Sequence, residues 1–166
     1  AVSSFVSQNF GAGKTERIRQ GVRVCINIAL VSYLFLGSAM ILLSKRLADF
    51  MLDESETIAL SAEYLRICGA GLILLNLLFI YRNATQGMGY PLIPMLSGIA
   101  EMALRIPAII FLLPHIGFRA TACAEIIAWI GALALNVGAY MIYFKKTRQK
   151  KTKQKRAAVF GNSLRC

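Results

Sequence analysis

Glu101 and Arg105 stand four residues apart inside the otherwise apolar stretch from Pro91 to Leu113. On a helix that spacing puts acid and base on one face, with the acid N-terminal, the favourable order. Glu101 follows Pro91 by ten residues, or about 15 Å of helix, which is near the middle of a bilayer whose hydrocarbon core is roughly 30 Å thick. A charge at that depth costs roughly 2.5–3.5 kcal/mol on insertion scales, so such residues pair and face protein or water. Two readings fit the pair: part of an ion or substrate path, or a structural ion pair holding its helix within a bundle.

Other polar residues interrupt apolar runs singly. Glu125 stands one helical turn before Trp129 at the start of a long apolar stretch, where a first-turn acid is favoured by the helix dipole. Asn27, Asn76 and Asn136 are lone amides, each able to hydrogen-bond between helices or to line a polar cavity. Asn76 is the cavity candidate, because it breaks a continuous Leu/Ile run. The segment Gly11-Ala12-Gly13-Lys14-Thr15 ends like a phosphate-binding loop, but the glycine required five positions before Gly13 is Gln8. A glycine-rich turn between two helices is the better reading. Asn83-Ala84-Thr85 matches a glycosylation sequon, but topology places it on the cytoplasmic side. The lone His115 and the widely spaced Cys25, Cys68, Cys123 and Cys166 form no catalytic, metal-binding or disulfide pattern. The sequence therefore predicts no enzyme, no metal site and no cofactor.

The elements that must position these residues are membrane helices. Of 166 residues, 57% are hydrophobic and only 16% charged, with mean hydropathy +0.58, against about 25% charged in soluble domains. This composition excludes a disordered chain and argues against a soluble enzyme. Val24 to Ser44 and Ile126 to Phe144 are charge-free runs of 21 and 19 residues, each long enough to cross a bilayer. Thr57 to Tyr81 carries Glu63 and Arg66 near its start, and Pro91 to Leu113 carries the Glu101/Arg105 pair. Pro91 and Pro94 suit a helix start, Pro107 predicts a kink, and Pro114 predicts the end. The fold class is thus an all-α integral membrane protein, a polytopic helical bundle with four transmembrane helices at about 24–44, 57–81, 91–113 and 121–144. In the last of these, Ala120, Ala124, Ala128 and Ala132 recur every four residues, continued by Asn136 and Tyr140. Small residues at that spacing predict close helix packing.

Charge orients these spans. Eight of the 19 Lys and Arg residues lie between Lys145 and Arg156, leaving 11 bases against 8 acids elsewhere. The net charge of +11 is therefore largely a basic tail, 145–166, on an oily body, which points to lipid headgroups rather than nucleic acid. Lys14, Arg17, Arg19 and Arg23 precede the first span, whereas the loop Lys45 to Glu56 has two bases against four acids. Four spans with both ends cytoplasmic satisfy the positive-inside rule. Residues 1–13 read as the cytoplasmic end of an earlier helix plus a turn. The chain opens at Ala1 in an apolar stretch without a signal-peptide pattern, so the expectation is a piece of a larger multi-pass protein.

Several segments, in order, resemble those of multidrug and toxic compound extrusion (MATE) transporters. Ser4 to Lys14 (SFVSQNFGAGK) is similar to the motif at the cytoplasmic end of the second helix of each bundle, and Arg82 to Tyr90 (RNATQGMGY) to the segment after the tenth helix. Pro94 with Glu101…Arg105 resembles the eleventh helix, and Ala128-Trp129 the twelfth; the likeness covers roughly residues 1–144. It implies the end of helix 8 and helices 9–12 of a twelve-helix protein, whose two six-helix bundles surround a cavity open alternately to each side. It implies a bacterial plasma-membrane antiporter that exports cationic, amphipathic small molecules in exchange for sodium ions or protons, working with a preceding N-terminal bundle. Members of the wider superfamily flip lipid-linked oligosaccharides, the alternative reading. Some members carry an acid for cation coupling in the tenth helix. Here Gly71 to Tyr81 offers only Asn76 and Tyr81, which become the cavity candidates, while acid-based coupling moves to Glu101.

Overall fold

The computed structural model describes the backbone of residues 2–163 and the side chains of residues 2–145. Among the described residues the chain is all helix: α1 (Val2–Gly11), α2 (Thr15–Leu42), α3 (Ser44–Met51), α4 (Ser55–Gly87), α5 (Leu92–Ile116) and α6 (Arg119–Ser163). In α2, α4, α5 and the Arg119–Lys145 part of α6 the helix is long and apolar enough to cross a membrane. This is a polytopic helical membrane bundle. Apart from Lys145, the side chains of the predicted basic tail lie outside the described residues.

Three local expectations are corrected. The span predicted as 57–81 is a 33-residue helix, because the charged turns at both of its ends continue the same helical hydrogen bonding. Residues 45–51, assigned to a loop, form α3, a short amphipathic helix. The helix predicted to stop at Pro114 reaches Ile116, with Pro107 and Pro114 both inside α5. The stop comes at Gly117, which turns the chain with φ +59 and donates its N–H to the Leu113 carbonyl at 3.0 Å.

Two glycines end helices on the same side of the bundle by the same device. After α1, Lys14 N donates to Asn9 O (2.9 Å) and Gly13 N to Phe10 O (3.0 Å), with Gly13 at φ +67. After α4, Tyr90 N donates to Thr85 O (3.3 Å) and Gly89 N to Gln86 O (3.0 Å), with Gly89 at φ +83. Both are paired closures of a left-handed helix cap. The Gly-Lys-Thr run is therefore a helix-to-helix turn, and no strand precedes it among the described residues.

Helix α4 is the hub and contacts all five others, while α6 lies against both α4 and α5. The stripe on α6 is its packing edge, with Ala120, Ala124, Ala128, Ala132 and Asn136 fully buried and Tyr140 nearly so. Without side chains beyond Cβ in the first four positions, α6 approaches its neighbours closely enough for dispersion contacts to hold helices that lipid would otherwise solvate. A second close approach occurs at Gly87, where an added Cβ would lie 2.6 Å from Ser3 O and 2.9 Å from Val6 Cβ. By contrast, the faces of α2 and α5 that carry Leu34, Phe35, Ile99 and Phe111 are exposed, as lipid-facing helix surfaces are.

Candidate functional site

The seam where α4, α5 and α6 meet carries a continuous chain of polar side chains. On α5, Ser97, Glu101 and Arg105 recur every four residues and so share one face. On α6, Glu125 and Asn136 are eleven residues apart, close to three turns, and also share a face. Arg82 and Thr85 face them from the last turns of α4.

At one end, Arg105 Nη2 bridges two carboxylates, Glu125 Oε2 at 2.6 Å and Glu101 Oε1 at 3.2 Å. Glu101 Oε2 accepts a second ion pair from Arg82 Nη2 at 3.2 Å. Arg82 Nη2 also donates to Ser97 Oγ at 3.1 Å. That hydroxyl oxygen accepts from Asn136 Nδ2 at 2.7 Å, and Asn136 Nδ2 donates in addition to the Ala132 carbonyl at 2.9 Å. Thr85 Oγ1 donates to the Arg82 carbonyl at 2.9 Å and lies 3.4 Å from Asn136 Oδ1. From Glu125 to Asn136 the chain of contacts spans about 16 Å of helix rise, roughly half of the hydrocarbon thickness.

The charges alternate along this ladder: Glu125, Arg105, Glu101, Arg82. Two bases match two acids, so the seam is neutral overall. Each side chain is partly buried, with Glu101 18% and Arg105 33% exposed. Opposite charges at these separations offset the cost of holding ions at membrane depth.

A second polar feature lies on the other face of α4. Ser32 of α2 and Asn76 and Asn83 of α4 open into a cleft of about 360 Å³, among Ile28, Phe79 and Ile80. Its lining is apolar with a few neutral hydrogen-bonding groups and no formal charge. The cleft is an open surface groove rather than an enclosed cavity.

The matching family model, MatE, covers residues 1–111 of the 166. The chain belongs to the MatE family. Members of this family are transporters, not enzymes, so the chain is a multi-pass membrane protein of transport. No curated protein and no solved structure matches it. The MatE match includes the cleft and the α4 and α5 members of the ladder, but ends before α6, which brings Glu125 and Asn136.

Within this MatE chain the residues singled out from sequence divide into three groups. Glu101, Arg105, Glu125 and Asn136 come together in the ladder. Asn76 lines the cleft, whereas Tyr81 does not; five residues along a helix turn it about 140° away, and its ring packs edge-on against Tyr140 at 5.3 Å. Asn27 is exposed on α2 and lies outside both features. Glu125 is also reassigned. Because α6 starts at Arg119, this acid sits in the second helical turn, and its partner is the Arg105 guanidinium rather than the helix dipole.

Arg82, Thr85 and Ser97 were not singled out from sequence. Arg82 was read as a loop residue after the second span, yet α4 carries it inward of the helix end. Ser97 was legible in principle, since it continues the four-residue spacing of Glu101 and Arg105 backwards by one turn. At the opposite side of the bundle, Arg119 and Glu63 pair at 2.6 Å, but both are substantially exposed, and such pairs contribute little.

Proposed function

We propose that this MatE chain acts in secondary-active export of organic cations, coupled to inward movement of sodium ions or protons. Membership of a transporter family supports transport, and the neutral cleft at Asn76 supports the substrate class. A hydrophobic wall with uncharged hydrogen-bonding groups suits the apolar body of an amphipathic small molecule. A lipid-linked oligosaccharide is the alternative substrate; its diphosphate calls for cationic groups, so basic residues within the spans of the full-length parent would favour it. The open side of the cleft fits a cavity completed by a further helical bundle, with alternating access by rocking of the two.

In this reading both ends of the four-span unit are cytoplasmic, and the host membrane is a bacterial plasma membrane. Asn76 helps hold substrate. Glu101, bound to both Arg82 and Arg105, is the acid whose pairing the coupling ion perturbs. A cation binding near Glu101 would compete with the two guanidiniums, and so bias the seam between two arrangements.

The test is export of a fluorescent cation from cells expressing the full-length parent with Glu101→Gln. Reduced export, or a changed dependence on pH or sodium at normal expression, is the expected result. Unchanged export on both axes removes Glu101 from coupling. Failure of the unaltered parent to export any organic cation overturns the substrate class.

A further inference from the structure

We propose that α3 is an interfacial helix that seats a free apolar edge in the bilayer, on the face of the bundle opposite Lys14–Arg23. This surface is separate from the cleft and from the ladder, and it does not depend on what the chain transports.

The helix has three sectors, which follow from 100° of turn per residue. Ser44 and Ala48 are buried and face α4, where Ala48 packs with Ile58 and Ala62. Lys45, Asp49 and Arg46 form a polar sector next to it. Leu47, Phe50 and Met51 fill the remaining arc and are exposed, Phe50 at 90% and Met51 at 81%. The polar and exposed apolar sectors lie on opposite sides of the contact with α4. This is the division expected of a helix lying where hydrocarbon meets headgroups.

Two independent rulers put α3 at that level. Along α2, the charge-free part runs from Val24 to the helix end at Leu42, which is about 28 Å of helix and close to the full hydrocarbon thickness. The first residue of α3 is therefore at the far boundary. Along α4, Arg66 Nε donates to Ser44 Oγ at 2.9 Å, so the boundary passes near Arg66. From Ile67 to Tyr81 α4 carries no charge, and Ile58 and Ala62, which hold α3, lie on the other side of Arg66.

Lipid is the occupant of the free edge because the surface beside it is a continuous exposed apolar face at the end of a helix long and apolar enough to span a membrane. Only Leu43 separates α2 from α3. Leu42, 81% exposed, and Leu43 lead from the exposed face of α2 directly to Leu47, Phe50 and Met51. The bilayer that covers α2 therefore continues onto α3, while Lys45 and Arg46 can meet lipid phosphates from the polar side.

The test uses single-tryptophan reporters, because the chain has one tryptophan, Trp129. In a Trp129→Phe background, Phe50→Trp and Lys45→Trp are compared in phosphatidylcholine nanodiscs. Each is quenched in turn by lipids brominated near the headgroup end of the acyl chain and by aqueous iodide. The expected result is blue-shifted emission for Phe50→Trp, with bromine quenching at least about twofold stronger than for Lys45→Trp and the reverse order for iodide. Equal iodide quenching of both reporters would place α3 in water and overturn the proposal. Protection of Phe50→Trp from both quenchers would show protein covering the edge and overturn it as well. Leu47→Trp is the replacement reporter if circular dichroism shows that Phe50→Trp does not fold.

Discussion

Arg105 on α5 and Glu125 on α6 form a 2.6 Å ion pair between helices, and the same guanidinium nitrogen holds Glu101 one turn back on α5. Arg105 is thus the shared partner of two acids. Removing it leaves two carboxylates facing each other at membrane depth with only Arg82 to balance them. Arg105→Gln is expected to destabilise the bundle by about 3–5 kcal/mol, the cost of stranding a paired charge, reduced somewhat by partial exposure. The double variant Arg105→Gln, Glu125→Gln should recover much of that loss, since it removes one stranded carboxylate. Thermal unfolding in detergent of the four members of the cycle reads the coupling; additive losses would mean the two side chains do not act as a pair.

Asn136 joins α6 to α5 through Ser97 and approaches α4 at Thr85. Replacing it with Leu keeps the volume but leaves the Ser97 and Thr85 hydroxyls with one partner fewer each. The expected loss is about 0.6–2 kcal/mol, the range for interhelical hydrogen bonds in membranes. Ser97→Ala in the Asn136→Leu background should then cost almost nothing further. Unfolding measurements showing a full second loss would mean that Ser97 is held mainly by Arg82.

How far the ladder was legible in sequence depended on whether its contacts ran along a helix or between helices. Glu101 and Arg105 are neighbours by helical spacing alone, so periodicity finds them. Glu125 lies 20 residues beyond Arg105, and only the packing of α6 against α5 brings them together, so the dipole near an apparent helix start was the nearest local explanation. The alanine stripe on α6 was readable because small residues at every fourth position have one strong physical use in lipid. Helix α3 was hidden for the opposite reason. Eight residues of mixed charge are too short for a clear period, and Lys45, Arg46 and Asp49 read as a loop until α4 supplies the face on which Ser44 and Ala48 pack.

The close crossing of α1 and α4 rests on Gly87. Any side chain there meets the Ser3 carbonyl oxygen, a backbone atom that cannot rotate aside. Gly87→Ala should therefore separate α1 from α4 despite its small volume, costing about 1–3 kcal/mol in overpacking. A useful contrast is Gly98→Ala, where the nearest atom to the new Cβ is Arg82 Nη2 at 3.9 Å. Limited proteolysis at the Gly11–Thr15 turn should be faster for Gly87→Ala and unchanged for Gly98→Ala. Equal rates would show that α1 tolerates displacement without loosening its turn.

Asn76 and Tyr81 occupy different sides of α4, and their substitutions should separate accordingly. Asn76→Leu changes a cleft that contains no formal charge, so it removes one of the few hydrogen-bonding groups without introducing a buried charge. In the full-length parent it should weaken export of cations that carry a hydrogen-bond donor more than export of those that carry none, with little change in thermal stability. Tyr81→Phe keeps the edge-on contact with Tyr140 and lies away from the cleft, so it should leave export unchanged. Tyr81→Ala, in contrast, removes a ring from the cluster that also contains Val6, Ile18 and Met88 and should cost stability, about 3 kcal/mol for loss of a packed aromatic ring. Measuring export and melting temperature together distinguishes the two roles. Loss of export in Tyr81→Phe at unchanged stability would move the substrate path to the aromatic side of α4, and the cleft at Asn76 would then lose its assigned role.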